Sequence, residues 1–415
     1  MTRAFLPADV MLPKQTVDFQ KWAVIACDQF TSDRGFWAEV EQEVSGVPST
    51  YRLILPEVYL EDADVKDRLA EIRNTMDTYV KDGLFDTYEN ALIYIERTDS
   101  VGNIRAGVVG CVDLEQYDFA VGSTSLIRAT ESTVVERIPP RVRIRENASI
   151  ELPHIMLLVD DMKKKLIEKL SGETQSMRKV YDFALMQGSG HLKGWLLSKE
   201  QTDVFLQTID DIAAEQTDAS GNLLLFAMGD GNHSLATAKT YYEQLKKEHP
   251  NEDLSKHPAR YALCELVNLH SQALQFEAIH RIVTEVDTPH LLAHMTEELG
   301  MCHEGDGQKL YMVIDGKKQP ITFSKTTSNL TVGTLQNFLD DYLKKYGGKI
   351  DYIHGEDALI ALTGQARSIG FLLPEIQKEA LFPSVQADGV LPRKTFSMGH
   401  AKDKRYYMEC RMIRA

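Results

Sequence analysis

Apolar and polar residues follow two periods along the chain, and the switches between them mark its elements. Leu223-Leu-Leu-Phe-Ala-Met228 is an unbroken apolar run between Gly221-Asn222 and Gly229-Asp-Gly-Asn232. Its length and its flanking turn residues predict a short buried strand. Leu235, Ala238, Tyr242 and Leu245 then recur at helical spacing, so a helix should begin within a residue or two of His233 or Ser234. Elsewhere Val65, Leu69, Ile72 and Met76 predict an amphipathic helix within 62–82. Ala91–Arg97 and Ile104–Val112 form an expected antiparallel pair across Asp99-Ser-Val-Gly-Asn103. Trp22–Cys27 should be a strand, followed by a helix carrying Phe36, Trp37, Val40 and Val44. His154–Val159, two segments within 178–197, Arg260–Leu269 and Phe276–Val283 complete the predicted strands of the first two-thirds, with a helix over 199–215.

Beyond residue 287 the apolar runs are shorter. Asp315-Gly-Lys317 marks a hairpin, Leu335–Tyr346 a helix stopped by Gly347-Gly348, and further strands begin at Tyr352, Ser368 and Tyr406. The expected fold is α/β of the mixed α+β kind: mixed sheets with flanking helices. With 415 residues a single core is improbable. The expected division is an N-terminal α+β region (1–165), a central strand-turn-helix region (166–286) and a smaller C-terminal α+β region (287–415).

Charge narrows the classes of partner. A formal charge of −15 and a pI near 5.3 disfavour non-specific binding to nucleic acid or to an anionic membrane. No 18-residue apolar run occurs, and the first residues hold no long apolar stretch. Cys27, Cys111, Cys264, Cys302 and Cys410 are scattered, with no Cys-x-x-Cys pair, as free thiols in a reducing cytoplasm would be. The expected partner is a small molecule or nucleotide, and an oligomer is compatible with the composition.

The candidate chemistry gathers at the turn after Met228. A strand that gives way to a helix aims the helix's first N–H groups, and about half a positive charge, at whatever lies above the sheet. Gly229 and Gly231 permit close backbone approach. Asp230 and His233 add a carboxylate and an imidazole, while Asn232 and Ser234 either face a ligand or only cap the helix. The turn is neither a Walker loop nor an EF-hand loop. Arg128, Glu131, Arg137 and Arg141-Val-Arg-Ile-Arg145 crowd one segment; if extended, the alternating stripe sets its guanidiniums on one face for an anion, or else is a solvated face paired with Glu136 and Glu146. His280-Arg281 interrupts an apolar strand, and a buried Arg needs an acid or an anion beside it. Lys163–Lys165 should be the wet side of a helix they open, and Arg393, Lys394, Lys402, Lys404 and Arg405 a solvated surface.

Several short motifs occur in a fixed order: Ala26-Cys-Asp-Gln29, Arg128-Ala-Thr-Glu131, His154-Ile-Met-Leu-Leu-Val-Asp-Asp161, Gly190-His191 before Trp195, Gly229-Asp-Gly-Asn-His233, Leu266-Val-Asn-Leu269, Ile279-His-Arg281, Tyr352-Ile-His-Gly355, Phe371-Leu-Leu-Pro374 and Leu391-Pro-Arg-Lys-Thr-Phe396. In this order they resemble the DUF-1015 family of bacterial and archaeal proteins over most of the chain. The turn is also similar to the Asp-Gly-His-His-Arg turn of the ParB/sulfiredoxin-like superfamily, which includes partition proteins, sulfiredoxins and free-serine kinases. That likeness implies a ParB/sulfiredoxin-like core around residues 178–285 and a phosphate-handling site at Asp230, Gly231, Asn232 and His233. Ser234 stands where many relatives have Arg, so a guanidinium facing the phosphates is lost.

The resulting expectation is a nucleotide or phosphometabolite site, with phosphoryl transfer to a small hydroxylated metabolite as the leading reaction. Asp230, His233 and Glu131 are the candidate catalytic groups, and Asp230 or Glu131 the candidate ligand for Mg²⁺ accompanying ATP or ADP. Gly231, Asn232, Ser234, Arg281, His280, Arg128, Arg141 and Asp28 are the candidate anion-binding residues. A non-catalytic nucleotide-binding regulator is the first alternative and a phosphoester hydrolase the second, ranked last on the expectation that the chain has no ligand-spaced pattern such as His-x-x-x-His.

Overall fold

A computed structural model of the chain describes residues 3–133, 138–152, 155–399 and 401–414. Glu136, Arg137 and His154, named above, lie outside the described residues. The fold is mixed α/β. Its residues group into two compact units: Met1–Ala129 with Thr133–Leu274 and His400–Ala415, and Thr130–Ser132 with Gln275–Gly399. The last sixteen residues return to the first unit, and Thr130–Ser132 belong to the second.

The first unit is built on a ten-stranded sheet. Its strands are β1 (Phe5–Leu6), β2 (Ile93–Thr98), β3 (Ile104–Asp113), β4 (Tyr117–Asp118), β5 (Ile127–Arg128), β6 (Met156–Val159), β7 (Arg178–Ala184), β8 (His191–Leu196), β9 (Phe226–Asp230) and β10 (Tyr261–Asn268). The order is β7-β8-β2-β3-β10-β6-β9-β5-β4, with β1 paired to β3. β6 is parallel to β10 but antiparallel to β9, and β9 is parallel to β5. Both faces of the inner strands are buried, which is why β6, β9 and β10 read as continuous apolar runs rather than as alternation. Leu223–Leu225 are buried as well but precede the strand, so β9 begins later and ends later than its apolar run.

Helices α1 (Arg34–Glu43), α2 (Val65–Lys81), α3 (Ile138–Arg145), α4 (Lys199–Gln216) and α5 (Asn232–Glu248) surround this sheet. α4 opens with a capping box from Ser198 and Gln201 and buries Phe205, Leu206, Ile209 and Ile212. Trp22–Cys27 is mostly not a strand: Phe19–Trp22 is one helical turn, and only Val24–Ile25 pair, with Tyr406–Tyr407. Lys163–Lys165 precede the short helix Ile167–Ser171 instead of opening it, and Lys163 and Lys165 both pair with Glu215.

The second unit carries β11 (Phe276–Thr284), β12 (Met301–Cys302), β13 (Gln308–Ile314), β14 (Lys317–Phe323), β15 (Lys349–His354), β16 (Ser368–Leu372) and β17 (Phe396–Met398), in the order β12-β14-β13-β16-β11-β15, with β17 also on β11. Helices α6 (Thr288–Leu299) and α7 (Thr331–Tyr346) cover it through Leu291, Met295, Leu335, Phe338 and Leu339. The hairpin at Asp315-Gly-Lys317 and the Gly347 stop stand where the sequence puts them.

Candidate functional site

β9 ends at Asp230, and Gly231 turns the chain with φ 79° and ψ 28°, a left-handed conformation that an L side chain adopts only with strain. α5 begins at the next residue and runs for 17 residues, and no side chain caps its N-terminus. Neither Asn232 nor Ser234 acts as a cap; the Gly231 N–H goes to Asp230 Oδ1 and the Ser234 and Leu235 N–H groups to Gly231 O. The Asn232 Oδ1 atom is buried with no hydrogen-bond partner among the described residues. Desolvating an amide oxygen without a partner costs about 1–3 kcal/mol, which a bound donor would relieve.

A cation stands at the same turn. Lys404 Nζ lies 3.0 Å from Asp230 Oδ2, with both side chains largely shielded, while Asp230 Oδ1 accepts from the Gly231 N–H at 2.9 Å. Lys404 thus pairs with Asp230 beside the start of α5. It was expected on a solvated surface, and its neighbour corrects that expectation further: Arg405 is only 4% exposed and bonds Glu265 at 2.5 Å and Glu409 at 2.7 Å. Glu265, on β10, is fully buried and also receives Arg105 at 3.1 Å, and Tyr181 donates to Glu409 at 2.5 Å. Burial alone would raise the Glu265 pKa; the guanidiniums of Arg105 and Arg405 outweigh it and hold the carboxyl below its usual range. This network fixes the segment that delivers Lys404. The local signal for it was a charged residue inside an apolar strand, Cys264-Glu265-Leu266, and Arg405 four residues before Glu409 in an otherwise apolar stretch.

Asp28 and Arg141 both lie close enough to Cys27 to act on its thiol. The Ala26 N–H donates to Arg405 O at 3.0 Å, and Tyr407 places its hydroxyl 3.3 Å from Cys27 Sγ. Burial, then the Asp28 carboxylate, push the Cys27 thiol up to about 12, which makes it an inert thiol. Arg141 does not sit on an extended stripe. Residues 138–145 form α3, which packs Ile138 and Val142 against Ala236 of α5, and Arg141 pairs with Glu57. Pro139-Pro140 at the helix start explains the difference, since proline fits a first helical turn. Arg145 pairs with Glu151 at 2.6 Å.

Arg128 is not turned toward Asp230. From β5, beside Ala227, its guanidinium bonds Ser125 O, Asn222 Oδ1 and Leu223 O, at the opening end of β9 rather than at its close. Burial lowers its pKa, and these acceptors fasten the loop before β9.

Glu131, His280 and Arg281 belong to the second unit. Glu131 accepts from the Lys394 and Thr395 N–H groups at 3.0 and 3.1 Å, and burial raises its pKa. Arg281 is fully buried; its donors go to Gln336 Oε1, Ile279 O, Lys394 O and Arg393 O, and its guanidinium lies 4.9 Å over the Tyr352 ring. Burial brings it down to about 10. Carbonyl oxygens take its donors, while the Tyr352, Glu131 and Asp340 side chains oppose the lowering. His280 Nδ1 accepts from the Leu373 N–H at 3.2 Å, and burial lowers its pKa, so the neutral ring is the favoured form.

Among the described residues no group of three or more His, Cys, Asp and Glu side chains is placed to hold a metal ion. Asp230 could serve Mg²⁺ only in the way that ion usually binds beside nucleotides, through one or two carboxylates plus phosphate oxygens. No helix of the described residues is long and apolar enough to cross a membrane.

None of the curated proteins matches the chain in sequence. Solved structures that resemble it include three different proteins. SbnI with a C-terminal truncation from Staphylococcus aureus is 9% identical with a TM-score of 0.38, covering 72% of this chain and 85% of that one. A conserved hypothetical protein from Pyrococcus furiosus is 9% identical with a TM-score of 0.35, covering 70% and 90%. A free serine kinase variant in complex with ADP is 8% identical with a TM-score of 0.40, covering 74% and 92%. Likenesses this distant assign no activity to the chain. The family described as "Protein of unknown function (DUF1015)" matches residues 11–342, and the chain belongs to that family.

Proposed function

We propose that the turn Gly229–Ser234 binds a phosphate group of a nucleotide or phosphorylated small molecule, ATP or ADP with Mg²⁺ being the leading candidates. The carrying observation is the coincidence at one place of a left-handed Gly231, the uncapped start of a 17-residue helix, and the Lys404 ammonium. Backbone N–H groups and a lysine are the usual cradle for phosphate oxygens, and the unpartnered Asn232 Oδ1 offers an acceptor for a sugar hydroxyl or base amine. Bound Mg²⁺ would neutralise phosphate charge. An incoming phosphate draws Lys404 away from Asp230 Oδ2. Asp230 Oδ2 then accepts the proton of a metabolite hydroxyl as its oxygen bonds to phosphorus and the bond to the nucleotide's leaving oxygen breaks. His233, in the first turn of α5, is the further candidate for orienting that hydroxyl.

Binding without transfer is the second reading, and the Asp230–Lys404 pair favours it, because a carboxylate neutralised at 3.0 Å is a weak base. One experiment separates the two: calorimetric titration of the full chain with ADP and ATP, with and without Mg²⁺, followed by assays of phosphate transfer to small hydroxylated acceptors. Lys404→Ala should weaken nucleotide binding by about tenfold, the loss of one charge-assisted hydrogen bond. Asp230→Asn should abolish transfer and keep binding. Unchanged affinity in Lys404→Ala would remove the turn from the site, and absence of turnover in a nucleotide-binding wild type would leave the regulator.

A further inference from the structure

Away from the turn, and against the expectation that no such pattern occurs, helix α6 carries a His-x-x-x-His pair, His290 and His294, a spacing common among metal ligands. Residues four apart lie one above the other on a helix face. Leu291, Met295 and Leu299 bury the neighbouring stripe, which leaves His290 exposed and His294 half-buried. Their ring centroids are 4.6 Å apart with planes at 56°. Two imidazoles on one ion, each with a metal–nitrogen bond of about 2.0–2.1 Å, need centroids about 4.5–5 Å apart.

The second nitrogens are already engaged. His294 Nδ1 lies 3.2 Å from Glu298 Oε1, a carboxylate that can only accept, so the proton is on Nδ1. His290 Nδ1 lies 2.7 Å from the Tyr342 hydroxyl on α7. The Tyr342 hydroxyl can accept from His290 Nδ1 as well as donate to it; in the tautomer in which Nδ1 donates at both rings, both Nε2 lone pairs are left for a ligand, and such outer hydrogen bonding is what orients metal-binding histidines. Tyr346 closes one side, its ring 4.7 Å from His290 and 5.1 Å from His294.

We propose that His290 and His294 form a two-imidazole site for a divalent transition-metal ion of the Zn²⁺, Ni²⁺ or Cu²⁺ kind, with solvent completing the coordination. Imidazole ligands select these ions over Mg²⁺ and Ca²⁺. The site lies within the second unit and is independent of the phosphate-binding proposal.

The test uses the tag-free full chain, titrated calorimetrically with Zn²⁺ in a non-chelating buffer and passed over a Ni²⁺-charged resin. One ion per chain and retention on the resin are expected. His290→Ala and His294→Ala should each cost about 100-fold in affinity, since one remaining nitrogen loses the chelate effect. Glu298→Gln should cost about tenfold through the orienting hydrogen bond. His249→Ala, an exposed histidine on the first unit, should change nothing. No Zn²⁺ binding by the wild type, or equal binding by His290→Ala with an unchanged circular dichroism spectrum, would overturn the proposal.

Discussion

Arg405 shows how much a single side chain can hold in place. Its guanidinium bonds two buried carboxylates, Glu265 and Glu409, on separate stretches of the first unit. Replacing it by Met leaves Glu409 without its guanidinium partner and Glu265 with Arg105 alone. Breaking a buried ion network in this way costs roughly 3–5 kcal/mol, whereas replacing all its members by apolar residues of similar volume can be neutral. Arg405→Met should therefore lower the denaturant midpoint strongly, and an unchanged midpoint would show the network to be energetically idle. Lys404 follows Arg405 into place, so the same variant should also weaken any ligand at the turn. The individual residue was the least legible scale in the sequence. Arg128, Arg281 and Lys404 are all cations near candidate motifs, and only three-dimensional partners separate the two held by carbonyls from the one held by Asp230.

At the scale of elements, the strand-turn-helix unit depends on Gly231. Its φ of 79° puts any substituted side chain in the left-handed region, at a cost of about 1–2 kcal/mol. Gly231→Ala should lose that much stability in chemical denaturation and shift the first amides of α5, weakening phosphate binding without touching a charged group. This unit was legible because its apolar run, its glycines and the helical repeat after His233 all agree. The α2 and α4 helices and the β2–β3 and β13–β14 hairpins were legible for the same reason. The Arg141–Arg145 segment was not. Strict alternation over five residues fits a strand as well as one helical turn, and packing of Ile138 and Val142 on α5 decides for the helix. The strand Trp22–Cys27 failed because its apolar residues are buried by a one-turn helix and a two-residue pairing.

At the scale of the whole molecule, the two units differ in how acid should affect them. In the first, Glu151 and Glu265 are held below the usual carboxylate range, Glu151 by Arg145 and Arg411 and Glu265 by Arg105 and Arg405, each against the opposing effect of burial. Depressed folded values give stability that is complete above about pH 4.3 and is lost as pH falls through the folded pKa. In the second, burial raises Glu131, whose contribution is complete below about pH 4.3 and lost as pH rises, and burial lowers His280, whose contribution fades as pH falls below about 6.5. Among the described residues, the buried carboxylates that lose stabilisation below about pH 4.3 are Glu151 and Glu265 of the first unit. Hydrogen exchange followed by mass spectrometry should then quicken in peptides from β3, β6 and β10 before those from β11 and β16; the reverse order would contradict the ion-pair account.

Residues 400–415 close the first unit after the whole of 275–399 has been made. In order of synthesis, residues 275–399 therefore come between Glu265 and the Arg405 that pairs with it. Until that segment is read, the glutamate can share Arg105 alone, and the turn at Asp230 has no lysine beside it. A nascent chain in that condition is the form a chaperone would meet, and the anion cradle becomes whole only when the returning segment emerges.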